Sequence, residues 1–97
     1  MAKGYWVSCY RAVHDQAALG EYAKLAAPAV AQYGGRFIVR GTAAQAYEQG
    51  VAGRTTIVEF DSLAQAYAAR ESAAYAAALA ALEGAVDRDF RIVEGVG

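Results

Sequence analysis

The chain has 97 residues, one cysteine, one histidine and a net charge of −1 from nine basic and ten acidic residues. Charges this balanced, spread without runs, give no long-range field to attract nucleic acid or an anionic membrane surface, so we expect neither partner. One cysteine excludes an intrachain disulfide, and one histidine leaves the usual ligand set of structural zinc incomplete, so we expect no metal.

The length fits a single domain over residues 1–97. The apolar fraction is 57%, but 25 of those residues are alanines, which bury little area each. A second subunit covering an apolar face would therefore stabilise the fold. The apolar stretch near the start is too short for a signal sequence or a membrane span, so we expect a cytoplasmic protein.

Residues 4–12 are rich in aromatic and β-branched types and predict a first strand. Asp15 is a candidate N-cap for a helix over residues 16–33, which contains Pro28, a kink signal, and should end at Gly34. Strands are then predicted over residues 36–40 and 54–60. The thirteen-residue connection between them is either a functional flap or a floppy loop.

Ser62 and Gln65 form a capping-box pattern that opens a helix over residues 63–83, with Ser72 as a potential break in its middle. A last strand covers residues 89–94. The order β-α-β-β-α-β predicts an α+β, ferredoxin-like domain: a four-stranded antiparallel sheet with two helices on one face.

Strand alternation divides the predicted sheet into a face toward the helices and an open face. The first set is Phe37, Val39, Thr56, Val58, Phe60, Phe90 and Ile92. The second set is Arg36, Ile38, Arg40, Thr55, Ile57, Glu59, Arg91 and Val93. Hairpin pairing puts Arg36 opposite Glu59 and Arg40 opposite Thr55. Because the open face is half apolar, we expect a homodimer interface there, formed by Arg36, Ile38, Ile57, Glu59, Arg91 and Val93.

The same sheet is the scaffold of the RNA-recognition motif, but the base-stacking aromatics of that motif are replaced by Thr55 and Ile57. We therefore do not expect this chain to bind RNA.

His14 is the natural proton carrier, although an exposed loop position beside an Asp15 cap is the simpler interpretation. Cys9, among apolar neighbours, is expected to be a small buried side chain. Tyr33 and Tyr75 either line a pocket or pack in the core.

Four blocks along the chain resemble the family called domain of unknown function 1330: G-Y-W-V, A-P-A with Y-G-G-R-F-I-V-R-G, I-V-E-F-D-S-L, and I-V-E-G-V. The resemblance covers essentially the whole sequence. The matching positions are Pro28, Tyr33, Gly34, Gly35, Arg36, Arg40, Glu59, Phe60, Ser62, Leu63, Ser72 and Tyr75. The family's aromatic wall is lost at Ala69 and Arg70, and its proline at Ala73, which implies a roomier pocket or none.

The resemblance implies the dimeric α/β-barrel superfamily, in which two ferredoxin-like monomers set their sheets face to face. Its members include small monooxygenases, lactone isomerases and haem-degrading proteins. By this analogy the chain binds or transforms a small organic molecule without a cofactor; the alternative is a non-catalytic dimeric module. In an enzyme, His14 would transfer protons and Arg40 or Arg36 would hold an anionic oxygen, with Tyr33 and Tyr75 lining the pocket. Haem is not expected, because His14 is the only histidine.

Overall fold

The computed structural model describes residues 2–97. Its elements are β1 (Gly4–Val13), α1 (Gln16–Gln32), β2 (Arg36–Thr42), β3 (Arg54–Phe60), α2 (Leu63–Arg70), α3 (Ala73–Leu82) and β4 (Val86–Glu94). The strands form one antiparallel sheet in the order β2-β3-β1-β4, with the helices packed on one of its faces. The predicted α+β, ferredoxin-like fold is confirmed.

The helix ends follow the local signals in the sequence. The Asp15 carboxylate accepts a hydrogen bond from the Ala18 amide at 3.1 Å, and the Ser62 hydroxyl accepts one from the Gln65 amide at 3.1 Å. Gly34, with φ of 77°, follows the end of α1, because only glycine takes this left-handed backbone without strain. The helix α1 continues through Pro28 to Gln32.

Ser72 divides the predicted second helix into α2 and α3. Its hydroxyl donates to the Ala69 carbonyl at 2.7 Å and accepts from the Tyr75 amide at 3.2 Å. One side chain therefore pairs groups at the end of one helix and at the start of the next. The chain can turn here without leaving a buried backbone group unpaired, so three helices, rather than two, cover the sheet.

The main core is an aromatic cluster centred on Trp6 of β1. The centre of the Trp6 ring lies 5.1 Å from that of Phe60, 4.8 Å from that of Tyr75 and 5.3 Å from that of Phe90. All three pairs are tilted, a geometry in which aromatic rings attract each other. Its indole nitrogen donates to the Ala66 carbonyl at 2.9 Å. This hydrogen bond ties α2 to the sheet, and alanines at the helix surface allow the close approach.

A β-bulge at Ile38 overturns the predicted faces at the end of β2. Phe37 pairs with Val58, but Val39 pairs with Ile57, so one extra residue is inserted in β2. Arg40 consequently lies opposite Thr56, rather than the predicted Thr55, and faces the helices. Val39 moves to the open face. The predicted pairing of Arg36 with Glu59, which precedes the bulge, is confirmed.

Two further expectations change near the sheet edges. The strand β4 begins at Val86, three residues before the predicted start, and this brings Arg88 into the sheet opposite Tyr10. Cys9 is exposed, in contrast to the expected buried position. It alternates with the buried Ser8 and Tyr10 and therefore lies on the open face.

A candidate binding site between the first helix and the sheet

A small cavity lies between α1 and the sheet, on the side of β3 and β2. We call it the helix-face cavity. Its volume is about 40 Å³. Its lining consists of Tyr10, Tyr22, Ala23, Ala26, Ala27, Phe37, Arg40, Arg54 and Thr56. Three alanines of α1 form an apolar wall, while two arginines and two tyrosines bring polar groups to the same space. Apolar walls with a few convergent polar groups are typical of sites for small organic molecules.

Arg54 contributes the least satisfied polar group of this cavity. Its Nε is buried and has no hydrogen-bond partner within residues 2–97. The guanidinium carbon lies 5.8 Å from the centre of the Tyr10 ring, a cation–π contact. A buried donor without a partner is uncommon, because burial removes its water without replacing the hydrogen bond.

Arg40 approaches the cavity from β2. Its guanidinium carbon lies 4.7 Å from the centre of the Phe37 ring. The side chain is exposed, although the residue lies on the helix side of the sheet. The bulge at Ile38 is what places it there: with regular alternation Arg40 would project from the opposite face.

Arg88 of β4 supports the tyrosines of this region. It donates to the hydroxyl oxygens of Tyr22 at 3.1 Å, Tyr10 at 3.4 Å and Tyr75 at 3.4 Å. The hydroxyls of Tyr22 and Tyr75 are 2.6 Å apart. Burial raises the pKa of the Tyr22 hydroxyl well above its ordinary value, so Tyr22 is neutral at physiological pH.

The residues predicted to bind a ligand lie in different environments. Tyr75 is fully buried and contacts the site only through the Tyr22 hydroxyl and Arg88. Tyr33 caps the end of α1, half-buried, and its carbonyl accepts from the Gln65 side chain at 3.3 Å. Neither residue lines the helix-face cavity. Arg36 is paired with Glu59 at 2.7 Å and with Asp61 at 3.3 Å on the open face.

The structure does not bring the two predicted catalytic residues together. His14 follows the end of β1, and its Nε2 lies 3.0 Å from a carboxylate oxygen of Asp87 at an exposed position. Arg40 pairs with Thr56, which pairs with Ser8 of β1. His14 is six residues beyond Ser8, a distance of roughly 20 Å along the strand. The role of His14 in proton transfer stays a prediction.

The open face carries all six residues of the predicted interface. Ile38, Ile57 and Val93 share a shallow apolar depression with Tyr5 and Val7. Ion pairs border it. Arg36 binds Glu59 at one side, and Arg91 binds Asp89 at 3.0 Å at the other. An apolar centre with a polar rim is the usual anatomy of a protein interface.

A family model described as a domain of unknown function, DUF1330, matches residues 3–96. The chain belongs to this family. No curated protein sequence matches it. Within residues 2–97 we find no helix long and apolar enough to cross a membrane, and no group of three His, Cys, Asp or Glu side chains placed to hold a metal ion.

Solved structures similar to this DUF1330 chain share its fold at low sequence identity. A protein of unknown function from Rhodopseudomonas palustris is 15% identical, with a TM-score of 0.75 over 99% of this chain and 84% of that one. A dimeric ferredoxin-like protein of unknown function from Thermobifida fusca is 12% identical, with a TM-score of 0.55 over 98% and 92%. A Caulobacter crescentus protein proposed to be an antibiotic biosynthesis monooxygenase is 16% identical, with a TM-score of 0.58 over 99% and 91%. At these identities the likeness establishes the fold alone.

Sequence reasoning missed Tyr10, Arg54 and Arg88 as site residues. The alternation of β1 and β3 would have found two of them, because Tyr10 shares a face with Trp6, and Arg54 shares one with Thr56. Arg88 was missed because the last strand was predicted to begin after it. Extending the alternation from Phe90 by two residues would have placed Arg88 on the helix side.

Proposed function

We propose that this protein is a homodimer that binds a small organic molecule in the helix-face cavity. The observation that supports binding is the buried Arg54 Nε, which has no partner within residues 2–97 and belongs to a residue that lines the cavity. A bound acceptor would satisfy this donor. The cavity is small, and the exposed side chain of Arg40, which lines it, can change rotamer to admit a ligand.

The open face supports the dimer. Ile38 and Val93, which line the same apolar depression of this face, are 50% and 46% exposed, and a contiguous exposed apolar patch is typical of an interaction site. Two copies of the face would bury these side chains, while the pairs Arg36–Glu59 and Arg91–Asp89 at the rim would fix the register. The similar structure from Thermobifida fusca is described as dimeric.

Transformation of the bound molecule would need more than the groups around the cavity. The arginines and tyrosines there are hydrogen-bond donors that would stabilise a developing enolate oxygen. They are poor bases, because an arginine stays protonated and burial raises the pKa of the Tyr22 hydroxyl. Binding is therefore the function that this geometry supports best, and a cofactor-free reaction would require a base brought by the substrate or by the partner subunit.

A second candidate, a non-catalytic dimeric module without a ligand, is favoured by the size of the cavity. Ligand pockets usually enclose about 300 Å³ or more, whereas this cavity has about 40 Å³. Tyr75 and Phe60, which are fully buried, fill the neighbouring space between the helices and the sheet. In this case the open face would be the only functional surface.

Native mass spectrometry of the protein purified from its own host distinguishes the two candidates. We expect a dimer mass with a retained small molecule, and loss of that molecule in the variant Ala27→Leu, because Ala27 lines the cavity from α1 and is exposed, so the larger side chain narrows the cavity without entering the core. The matched control is Ala64→Leu at an exposed position of α2. A bare dimer in every preparation supports the structural module, and a monomer contradicts both candidates.

A further inference from the structure

We infer that the molecule bound in the helix-face cavity carries a carboxylate, held by Arg54 and Arg40 with the Tyr10 hydroxyl as a third donor. This inference rests on the proposed binding at the same cavity and adds the chemical class of the ligand. It follows from the hydrogen-bond donors, acceptors and charges that meet there.

The arginines on the helix side of the sheet have no carboxylate partner within residues 2–97. Arg11, Arg36 and Arg91, which lie outside the cavity, each have a carboxylate oxygen within 4.0 Å. Within residues 2–97, no carboxylate lies within that distance of Arg40, Arg54 or Arg88. No aspartate or glutamate lines the cavity. The helix side of the sheet thus holds a positive charge without a counter-ion, in a place where burial strengthens electrostatic interactions.

The tyrosines around Arg88 have hydroxyl protons left to donate. Arginine has donors only, so the three tyrosine oxygens act as acceptors toward Arg88. The proton of the Tyr10 hydroxyl has no acceptor within the part of the chain that the structure describes. The hydroxyls of Tyr22 and Tyr75 are 2.6 Å apart, so one of their two protons forms the hydrogen bond between them. The other proton is available for donation to another molecule. Arg88 therefore turns its tyrosines into donors for another molecule.

The donors and the apolar lining of the cavity together match a carboxylate with an apolar remainder. Three of the lining residues carry donors without an acceptor within residues 2–97: Arg54 at its Nε, Arg40 at its guanidinium and Tyr10 at its hydroxyl. A carboxylate has only acceptors at neutral pH and matches two guanidinium nitrogens in geometry. The alanine wall of α1 and the Phe37 ring suit an apolar remainder of the ligand. A neutral amide would bring its own donor toward two guanidinium groups, which cannot accept a hydrogen bond.

The test is a titration of the ¹⁵N-labelled protein with acetate and with acetamide, its neutral isostere, at low ionic strength. The probes are the Nε–H signal of Arg54, assigned by its loss in the variant Arg54→Gln, and the backbone amide signals of Arg40 and Thr56, which also line the cavity and report the Kd in every variant. We expect a saturable shift with acetate only, and a rise in the acetate Kd of about tenfold or more in Arg54→Gln, since a charge-assisted hydrogen bond is lost. Arg70→Gln is the matched control. Arg70 packs over Tyr75 and Phe90, also without a carboxylate, but does not line the cavity, so its Kd should change less than about twofold.

The outcomes separate this inference from the proposed function. Equal shifts with acetate and acetamide, or a neutral molecule retained in native mass spectrometry, would overturn the carboxylate and leave the binding site in place. No shift with either probe in the wild-type protein would overturn both. If Arg54→Gln fails to fold, the wild-type titration still decides, and Arg54→Lys provides the second variant: it keeps the charge but loses the Nε donor, so acetate should bind more weakly.

Discussion

The hydroxyl oxygens of Tyr22 and Tyr75 lie 2.6 Å apart and connect α1 to α3 above the sheet. Both also accept from Arg88, so hydrogen bonds join side chains from three elements in a partly buried position. Removing the Tyr75 hydroxyl by Tyr75→Phe leaves the shape of the core unchanged but deprives both partners of a hydrogen bond. We expect a loss of about 1–2 kcal/mol in the free energy of unfolding, measured by urea denaturation.

The control for this prediction is Tyr67→Phe, because Tyr67 is half exposed on α2 and its change should stay within about 0.5 kcal/mol. A double-mutant cycle with Tyr22→Phe isolates the contact. A coupling free energy of about 0.5 kcal/mol or more between the two tyrosines is expected. Additive effects would show that the short distance carries no specific interaction.

The order of elements and most of their ends were predictable because the signals are local. Asp15 and Ser62 cap helices through amides three residues away, and Gly34 ends α1 through its own backbone. Ser72 was recognised as a potential helix break on the same grounds. Such helix ends depend on a few neighbouring residues, so they can be predicted from the sequence without the tertiary structure.

The candidate site was less predictable because it depends on register. One inserted residue at Ile38 exchanges the faces of Val39 and Arg40, and no residue in this stretch marks the bulge. Without the bulge Arg40 would belong to the open face. Arg88 meets its tyrosines only through the pairing of β1 with β4, which joins residues 78 positions apart. Non-local contacts of this kind leave no pattern in a short stretch of sequence.

The pKa of Glu59 provides a test of the open-face network. A hydrogen bond from the Tyr5 hydroxyl at 2.9 Å, followed by one from Arg36 at 2.9 Å, lowers this pKa below its ordinary value. A carboxyl group whose pKa is lower in the folded state contributes stability that is complete above its unfolded pKa, about 4.3, and is lost as the pH falls through the folded pKa. We expect Tyr5→Phe to raise the pKa of Glu59, measured by carboxyl ¹³C shifts, and to move acid unfolding to higher pH.

The control for the pH prediction is Tyr47→Phe, since Tyr47 is exposed in the connection between β2 and β3 and donates to no carboxylate within residues 2–97. Its acid unfolding curve should coincide with that of the wild type. An unchanged pKa of Glu59 in Tyr5→Phe would assign the shift to Arg36 instead.

Substitution by alanine should have opposite effects on the stability of the fold at Gly35 and at Gly20. A Cβ at Gly35 would lie 2.6 Å from the Phe60 ring and 2.7 Å from Val30, and both side chains are buried with no room to move. Gly35→Ala should destabilise the fold by about 1–3 kcal/mol. Gly20 lies inside α1 with nothing within 4 Å of an added Cβ, so Gly20→Ala should stabilise the fold by about 0.5–1 kcal/mol. Thermal unfolding of both variants checks the pair, and a stable Gly35→Ala protein would contradict the close packing of β2 under α1.

The proposed dimer depends on Ile38, which lines the apolar depression of the open face from the edge strand β2. Ile38→Glu would place two unpaired carboxylates in the interface, one from each copy, at a cost of about 3 kcal/mol or roughly a hundredfold in the dimer dissociation constant. The folded monomer should remain, because Ile38 is half exposed in the single chain. Sedimentation velocity measures the change. Leu25→Glu is the matched control: Leu25 is 43% exposed on α1, which packs against the opposite face of the sheet, and its substitution should leave the dimer intact. If Ile38→Glu sediments as a dimer and Leu25→Glu does not, the helices rather than the sheet form the interface.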